Sequence, residues 1–466
     1  MADKVLGKIA SFLLKNDSMR LSLNSPTALV CLFALVFITR LPFLDAGYGM
    51  NPDAWRVALV AREMAQTGEY KVSRFPGYPV QEIVCALFWR GGPSALNGLS
   101  AFFGAIAAVA FAAIARKLGC RDWFLAGLAI AATPIFFVSS VSSKDYVWAL
   151  AFVLLSFLSA LDGRPGTAGV LLGVATGCRL TSAAMFLPIA LLIGSAMPRN
   201  WVAMAKFAGA AALVALLAFT PAWLRYGISF LTFYGNHPRP GWDVVFIRST
   251  VEVWGGVGLV ALGIASLGAW VSRTEFGLTN RRPVAALLLV VAIYAAAYLL
   301  LPDQAGYLLP LVPAVLLLIC LTTRRRFLQI ALSCLLVSSL VEFGPAGFTS
   351  GAILVDHQQR LKGLASIRDF LNVTESVPGN NVFVVGSSEP EIAVLAPRLQ
   401  NGRNRYVYQM NASEVRAALD DGRALYYLPT MRRFNYMVTG IDLAEYGARD
   451  IECLFRRSGP ASSFQP

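Results

Sequence analysis

Three carboxylates sit where apolar stretches of this chain meet polar ones. Asp53 lies in Asn51-Pro52-Asp53-Ala54-Trp55, Asp145 in Ser142-Ser143-Lys144-Asp145-Tyr146, and Asp303 directly after Pro302. An ionised group beside hydrocarbon is costly unless it faces water or a partner. A single such acid does no more than mark a water boundary. Three of them, with Lys144 and Arg179 close by in the sequence, make a set suited to group transfer. One carboxylate takes the proton of an attacking hydroxyl while cations hold a departing phosphate. Asp53 is the candidate base, and Asp145 is the candidate for orienting hydroxyl groups. Lys144, Arg179, Arg40 and Arg56 are the candidate phosphate-binding cations. Lys144 also reads as a span-end lysine with its charge in water, whereas Arg179, between two apolar runs, needs a partner.

A loop rich in proline and aromatic residues, Phe75-Pro76-Gly77-Tyr78-Pro79 with Glu82, has the character of a ligand lid. Tyr78 and Glu82 are therefore candidate substrate contacts, together with Asp303, Tyr307 and His237. His237 shares an outer loop with Tyr234 and Trp242 that would shape an acceptor groove, although a lone loop histidine is ordinarily just solvated. No metal-ligand spacing is present, and the seven cysteines read as small hydrophobes. Asp53 and Asp145 would serve with or without a divalent cation such as Mg or Mn.

The elements that must position these residues are membrane helices. Of 466 residues, 56% are hydrophobic and 14% charged, and the mean hydropathy is +0.58. A soluble core of that size cannot hide so much apolar surface. Apolar runs suited to crossing ~30 Å of hydrocarbon recur about eleven times before residue 350. Boundaries fall near 26–44, 91–115, 123–141, 146–161, 165–178, 181–197, 202–222, 251–271, 283–301, 306–321 and 327–344. Gly169, Gly173 and Gly177, four residues apart, signal close helix packing.

The net charge of +13 is confined to the membrane region, because from Ala352 onward thirteen basic residues face twelve acidic ones. That distribution fits the positive-inside rule and excludes nucleic acid as a partner. With the N-terminus in the cytoplasm, the inner segments carry sixteen basic and five acidic residues, and an odd span count exports the C-terminus. The expected domains are an interfacial cytoplasmic segment at 1–25, a membrane domain at 26–350 and a soluble α/β domain at 351–466. The membrane domain carries a large first outer loop at 45–90, in which Asp53 to Gln66 has the composition of a surface helix. In the C-terminal domain, short strands are expected at Val382 to Val385, Tyr406 to Tyr408, Leu425 to Leu428 and Ile451 to Phe455. Gly386-Ser387-Ser388 is read as a turn.

The run from Asp53 through Arg62-Glu63-Met64 to Gly68-Glu69-Tyr70 resembles the first-loop motif of GT-C glycosyltransferases, among them the protein O-mannosyltransferases and lipid A aminoarabinose transferases. Phe75 to Pro79 is similar to that family's Gly-x-Pro-Pro segment, and Asp145 to its second acidic position. Gly177-Cys178-Arg179-Leu180-Thr181 and Tyr307-Leu308-Leu309-Pro310 with Pro313 resemble later motifs, so the likeness covers about residues 40–315. Two departures stand out: Ala54 where many relatives have Glu, removing a possible metal or acceptor ligand, and Gly306 where they have an Arg for donor phosphate.

The resemblance implies a polytopic α-helical, GT-C-like fold in the bacterial inner membrane with a small C-terminal extracytoplasmic α/β domain. It implies transfer of a sugar from a polyprenyl-phosphate donor to an exported cell-envelope glycolipid, polysaccharide or protein on the periplasmic face. A lipid-linked-sugar flippase or transporter, and a non-catalytic envelope scaffold, are the alternatives. Against transport stands the lack of paired interrupted helices in two matching halves.

Overall fold

The computed structural model describes residues 25–196, 200–231, 240–272, 281–344, 347–399 and 402–455. The N-terminal segment at 1–24, His237 and Tyr234 lie outside the described residues.

The chain opens with α1 (Ser25–Ile38), α2 (Pro52–Thr67) and α3 (Pro79–Phe88), then the long α4 (Gly92–Lys117). There follow α5 (Trp123–Ala132), α6 (Pro134–Ser140), α7 (Tyr146–Leu161), α8 (Pro165–Cys178) and α9 (Phe186–Ala196). The membrane part continues with α10 (Trp201–Tyr226), α11 (Trp242–Ser249), α12 (Val251–Ser272), α13 (Arg281–Leu300), α14 (Leu311–Thr322) and α15 (Arg325–Val337). Among the described residues, five helical stretches are long and apolar enough to cross a membrane, or six if the bent pair α5 and α6 is one span. Four shorter apolar helices accompany them. The 16 residues of α7 rise only ~24 Å at 1.5 Å each, less than the hydrocarbon thickness. The protein is thus a multi-pass helical membrane protein, and among the described residues five or six of the eleven expected runs have the length of a full span.

The run 123–141, read as one straight span, bends by 70°. Pro134 has no N–H for the helix ladder and pushes Thr133 into an extended conformation (φ −62°, ψ 133°). A second local break does more for function. α8 stops at Cys178, Arg179 is extended (φ −159°, ψ 114°), and a 3-10 turn at Leu180–Met185 leads into α9. Without that extended residue, Arg179 would continue a helix face. Gly169, Gly173 and Gly177 line the seam of α8 against α10, and a Cβ on Gly173 would come within 2.6 Å of Val214 Cβ.

The loop at 45–90 is tied down at several points. Asn97 on α4 donates to the carbonyls of Leu44 and Gly47, both at 2.8 Å, and accepts from Ser143 Oγ at 2.7 Å. α2 begins with Asn51 accepting from the Asp53 N–H and Pro52 in its first turn, and it ends on Gly68 at φ 72°. The expectation of a surface helix needs correcting, since Trp55, Val57, Ala58, Val60, Ala61 and Met64 are all buried. α2 lies between the membrane helices and the C-terminal unit.

That unit follows an antiparallel hairpin of β1 (Val341–Gly344) and β2 (Gly347–Ser350). It comprises α16 (Ala352–Ser376), β3 (Asn381–Val384), α17 (Glu389–Leu395), β4 (Asn404–Val407), α18 (Ala412–Asp420), β5 (Ala424–Tyr427), α19 (Pro429–Thr439), β6 (Arg449–Asp450) and α20 (Glu452–Phe455). The strands form a parallel sheet in the order β4-β3-β5-β6. β3 is buried along its whole length, as its apolar run requires. The Phe383 ring stacks between Tyr406 at 5.3 Å and Tyr426 at 5.2 Å, a ladder across three strands. Ile451 to Phe455, expected as a strand, is mostly helix. The Asp450 side chain accepts from the Glu452 N–H at 2.9 Å and starts a helical turn there.

Gly173→Leu tests the α8 and α10 seam. The added side chain has no space, so the variant is expected to give a much reduced monodisperse peak in detergent at equal expression. A wild-type elution profile would show that the seam tolerates bulk.

Candidate functional site

Asp53 stands in the first turn of α2. Its Oδ1 lies 3.4 Å from Arg56 Nη1, one turn along the same helix. Its Oδ2 lies 3.6 Å from Arg74 Nε and accepts from Gln304 Nε2 at 3.3 Å. Asp145 precedes α7 and is fully buried. Its Oδ1 accepts from Arg74 Nη2 at 2.7 Å, and its Oδ2 from Arg179 Nη1 at 2.5 Å. Arg74 thereby joins the two carboxylates across a single guanidinium. Burial alone would raise the Asp145 pKa, but Arg179 and Arg74 outweigh it and hold the group below its usual value. Asp53 is lowered in the same way, with burial opposed by Arg74, Lys144, Gln304 and Arg56.

Aromatic rings carry the cations. Arg74 lies 4.2 Å from the centre of the Tyr78 ring, and its Nε donates to the Tyr78 hydroxyl at 2.9 Å. Arg179 lies over Tyr146 at 4.3 Å and Tyr307 at 5.1 Å. Lys144 Nζ and the Tyr146 hydroxyl both donate to Gln304 Oε1, at 3.0 and 2.9 Å. Burial, reinforced by the charge of Arg74, pushes the Lys144 pKa down to about 8. Beside this cluster opens a cavity of about 320 Å³ whose walls include Lys144, Tyr146, Arg248, Asp303, Gln304 and Asp356.

Asp53, Asp145, Lys144, Arg179 and Arg56 are brought into one cluster, Tyr78 and Tyr307 support it, and Asp303 lines the cavity. Three expected residues are placed differently: Asp145, expected to orient hydroxyl groups, has both oxygens taken by Arg74 and Arg179, and Arg40 and Glu82 are engaged elsewhere. Arg40 is buried against the Phe137 ring at 3.9 Å and donates to Ser140 Oγ, Thr39 Oγ1 and the Ala131 carbonyl. Its donors are taken up inside the helix packing, not offered to a phosphate. Glu82 is fully buried. It accepts from Tyr70 Oη at 2.6 Å, the Ser73 N–H at 2.7 Å, Ser73 Oγ at 2.6 Å and the Tyr78 N–H at 3.0 Å. Glu82 is the internal clamp of the loop that presents Arg74, not a substrate contact.

Residues of the site not picked out from the sequence include Arg74, Gln304, Arg248 and Asp356. Arg74 has the clearest retrospective signal, as the one cation inside the Ser73 to Glu82 lid stretch. The Arg absent at Gly306 has a steric explanation. A Cβ there would approach the Tyr146 ring to 2.7 Å, so the Tyr146 ring fills that space. A divalent cation does not suit this donor set. Both oxygens of Asp145 face guanidinium groups, and an ion placed between the carboxylates would meet Arg74, Arg179 and Lys144. Among the described residues no three His, Cys, Asp or Glu side chains gather as ligands.

Removing Asp145 strands two buried cations against each other. Asp145→Ala is expected to cost about 3–5 kcal/mol, the usual penalty for breaking a buried ion pair, and to lower the thermal midpoint in detergent. Asp53→Ala, at the wetter end of the cluster, is expected to lower it less. Equal midpoints for wild type and Asp145→Ala would contradict the pairing.

Comparison with known proteins places this geometry in context. The family model for GPI transamidase subunit PIG-U matches residues 112–257. No curated protein matches by sequence. ArnT from Cupriavidus metallidurans bound to undecaprenyl phosphate superposes with a TM-score of 0.50 at 16% identity, covering 80% of this chain and 69% of ArnT. The apo form of ArnT gives 0.48 at 18%, with the same coverages. The oligosaccharyltransferase of Archaeoglobus fulgidus, in complex with zinc and sulfate, gives 0.45 at 13%, covering 81% of this chain and 62% of that one. At such identities the likeness is one of architecture, and by that architecture the chain has the GT-C fold.

Proposed function

We propose that this protein is a membrane glycosyltransferase that moves a sugar from a polyprenyl-phosphate donor to an exported cell-envelope acceptor. The observation that carries the reading is the cluster itself, in which four cations surround two carboxylates beside a cavity of about 320 Å³. Cations among low-dielectric walls stabilise a departing phosphate far more than they would in water. The fold supports the same reading, because the ArnT of that comparison was solved with undecaprenyl phosphate bound.

In the proposed step, an acceptor hydroxyl oxygen attacks the anomeric carbon of the lipid-linked sugar. The bond from that carbon to the phosphate oxygen breaks, the new glycosidic bond forms, and the hydroxyl proton passes to Asp53. Lys144 and Arg248, which face the cavity, take up the charge on the phosphate. Asp145 holds Arg74 and Arg179 in place and does not touch the reacting atoms. The cell-envelope acceptor is a glycolipid, polysaccharide or protein, and the reaction belongs to the periplasmic side of a bacterial inner membrane, the side to which Asp53, Asp145 and Asp303 are assigned by the charge bias of the loops.

A second reading, a subunit that holds a lipid-linked glycan without transferring it, is favoured by one observation. The match to a transamidase subunit family covers Asp145 and Arg179 but neither Asp53 nor Arg74. Release of free polyprenyl phosphate separates the two readings. With a panel of polyprenyl-linked sugars and envelope acceptors, wild type is expected to release it. Asp53→Asn is expected to stay folded and lose transfer by about 10²–10⁴-fold, the range of general-base contributions. Normal turnover in that variant would remove Asp53 as the base, and no release by wild type with any sugar would favour the binding subunit.

The pH dependence has a defined sign. Lys144 is cationic below about 8, so capture of the anionic donor weakens as pH rises through that value. The limb appears in kcat/KM, which reports the free enzyme. Lys144→Arg, with a guanidinium that stays charged, is expected to abolish the limb, and a flat wild-type profile from pH 7 to well above 8 would refute the assignment.

A further inference from the structure

The membrane helices alone do not close the cavity. Asp356 forms part of its wall, and that residue belongs to α16, the helix that opens the C-terminal unit. Its side chain is only 12% exposed, and its Oδ2 is held 2.9 Å from Arg360 Nε, one turn further along. Arg360 is itself buried, and its Nη1 and Nη2 donate to the carbonyls of Val141 at 3.0 Å and Phe43 at 3.3 Å. Val141 starts the short segment that carries Lys144 and Asp145, and Phe43 lies just past the end of α1. One guanidinium therefore fixes a carboxylate of the C-terminal unit against the segment that carries the site.

What that carboxylate does follows from its chemistry. Its Oδ1 has no hydrogen bond among the described residues, and an ionised carboxylate can only accept. Lys144 and Arg248, also on the cavity wall, suit a phosphate. The remaining part of a lipid-linked sugar is a ring of hydroxyls, whose O–H donors these cations, having no acceptor atom, leave unmet. A carboxylate oxygen recognises them by charge-assisted hydrogen bonds. Asp303 and Glu252 share the cavity, but neither belongs to the C-terminal unit.

We propose that Asp356 is a substrate-binding residue that accepts hydrogen bonds from the donor's sugar hydroxyls, and that Arg360 is the positioning residue that keeps it in the cavity. The proposal rests on the lipid-linked-donor reading above. Its test compares binding of undecaprenyl phosphate with binding of undecaprenyl-phosphate-linked sugars by the purified full chain. Asp356→Ala and Asp356→Asn are expected to weaken the best-bound sugar-bearing lipid by about tenfold or more, in keeping with hydrogen bonds to a charged group, and to leave the bare lipid within about twofold. Arg360→Lys is expected to show the same selective loss, because an ammonium cannot reach all three partners. Parallel loss of both ligands would mark a merely structural role, and no loss of either would overturn the assignment directly. Wild type that binds no sugar-bearing lipid better than the bare one would instead bring down the donor reading, and this inference with it.

Discussion

The arrangement of the helix ends around the site depends on the burial of Asp145. A carboxylate with no exposed surface persists in its ionised form only with close cationic partners, and its two partners, Arg74 and Arg179, are 71 and 34 residues away in sequence. Satisfying them forces the lid loop, the start of α7 and the end of α8 to meet at one point. Buried ion pairs add little net stability, since desolvation offsets most of the attraction. What they provide here is placement. Arg74 reaches from Asp145 to Asp53, and Glu82 holds the Arg74 loop by four hydrogen bonds.

How much of this was legible in the sequence depended on how local each signal is. Membrane character sums over about twenty residues and survives local error, whereas the bend at Thr133 and Pro134 and the shortness of α7 are set by single residues and by packing. Strands β3, β4 and β5 read within a residue or two of their limits because each carries a short run of aromatic or β-branched residues. The last segment did not, because Asp450 caps a turn that apolar content cannot reveal.

In the site, Asp53, Asp145, Lys144 and Arg179 were conspicuous as charges beside hydrocarbon. Arg40 gave the same signal for a different reason, its partners being a backbone carbonyl and two hydroxyls within the packing. Arg74 was legible only as the one cation of the lid stretch, since nothing local shows that the fold brings two carboxylates to it. Gln304 is uncharged and drew no attention beside Asp303, yet its amide joins Asp53 to Lys144 and Tyr146.

The placement of α2 ties the C-terminal unit to this chemistry. One end of α2 carries Asp53, while Arg62 further along donates to the Ala393 carbonyl of α17 at 3.1 Å. Arg56 is shared as well: it pairs with Asp53 and lies 5.7 Å from the Tyr408 ring, just after β4. One 16-residue helix thus carries both Asp53 and the contacts to the sheet unit, with no loop between them. Arg360 adds a second connection on the other side of the cavity, through Val141 to the segment bearing Lys144. The C-terminal unit therefore touches the segments that carry both carboxylates, α2 on one side and Val141 to Asp145 on the other.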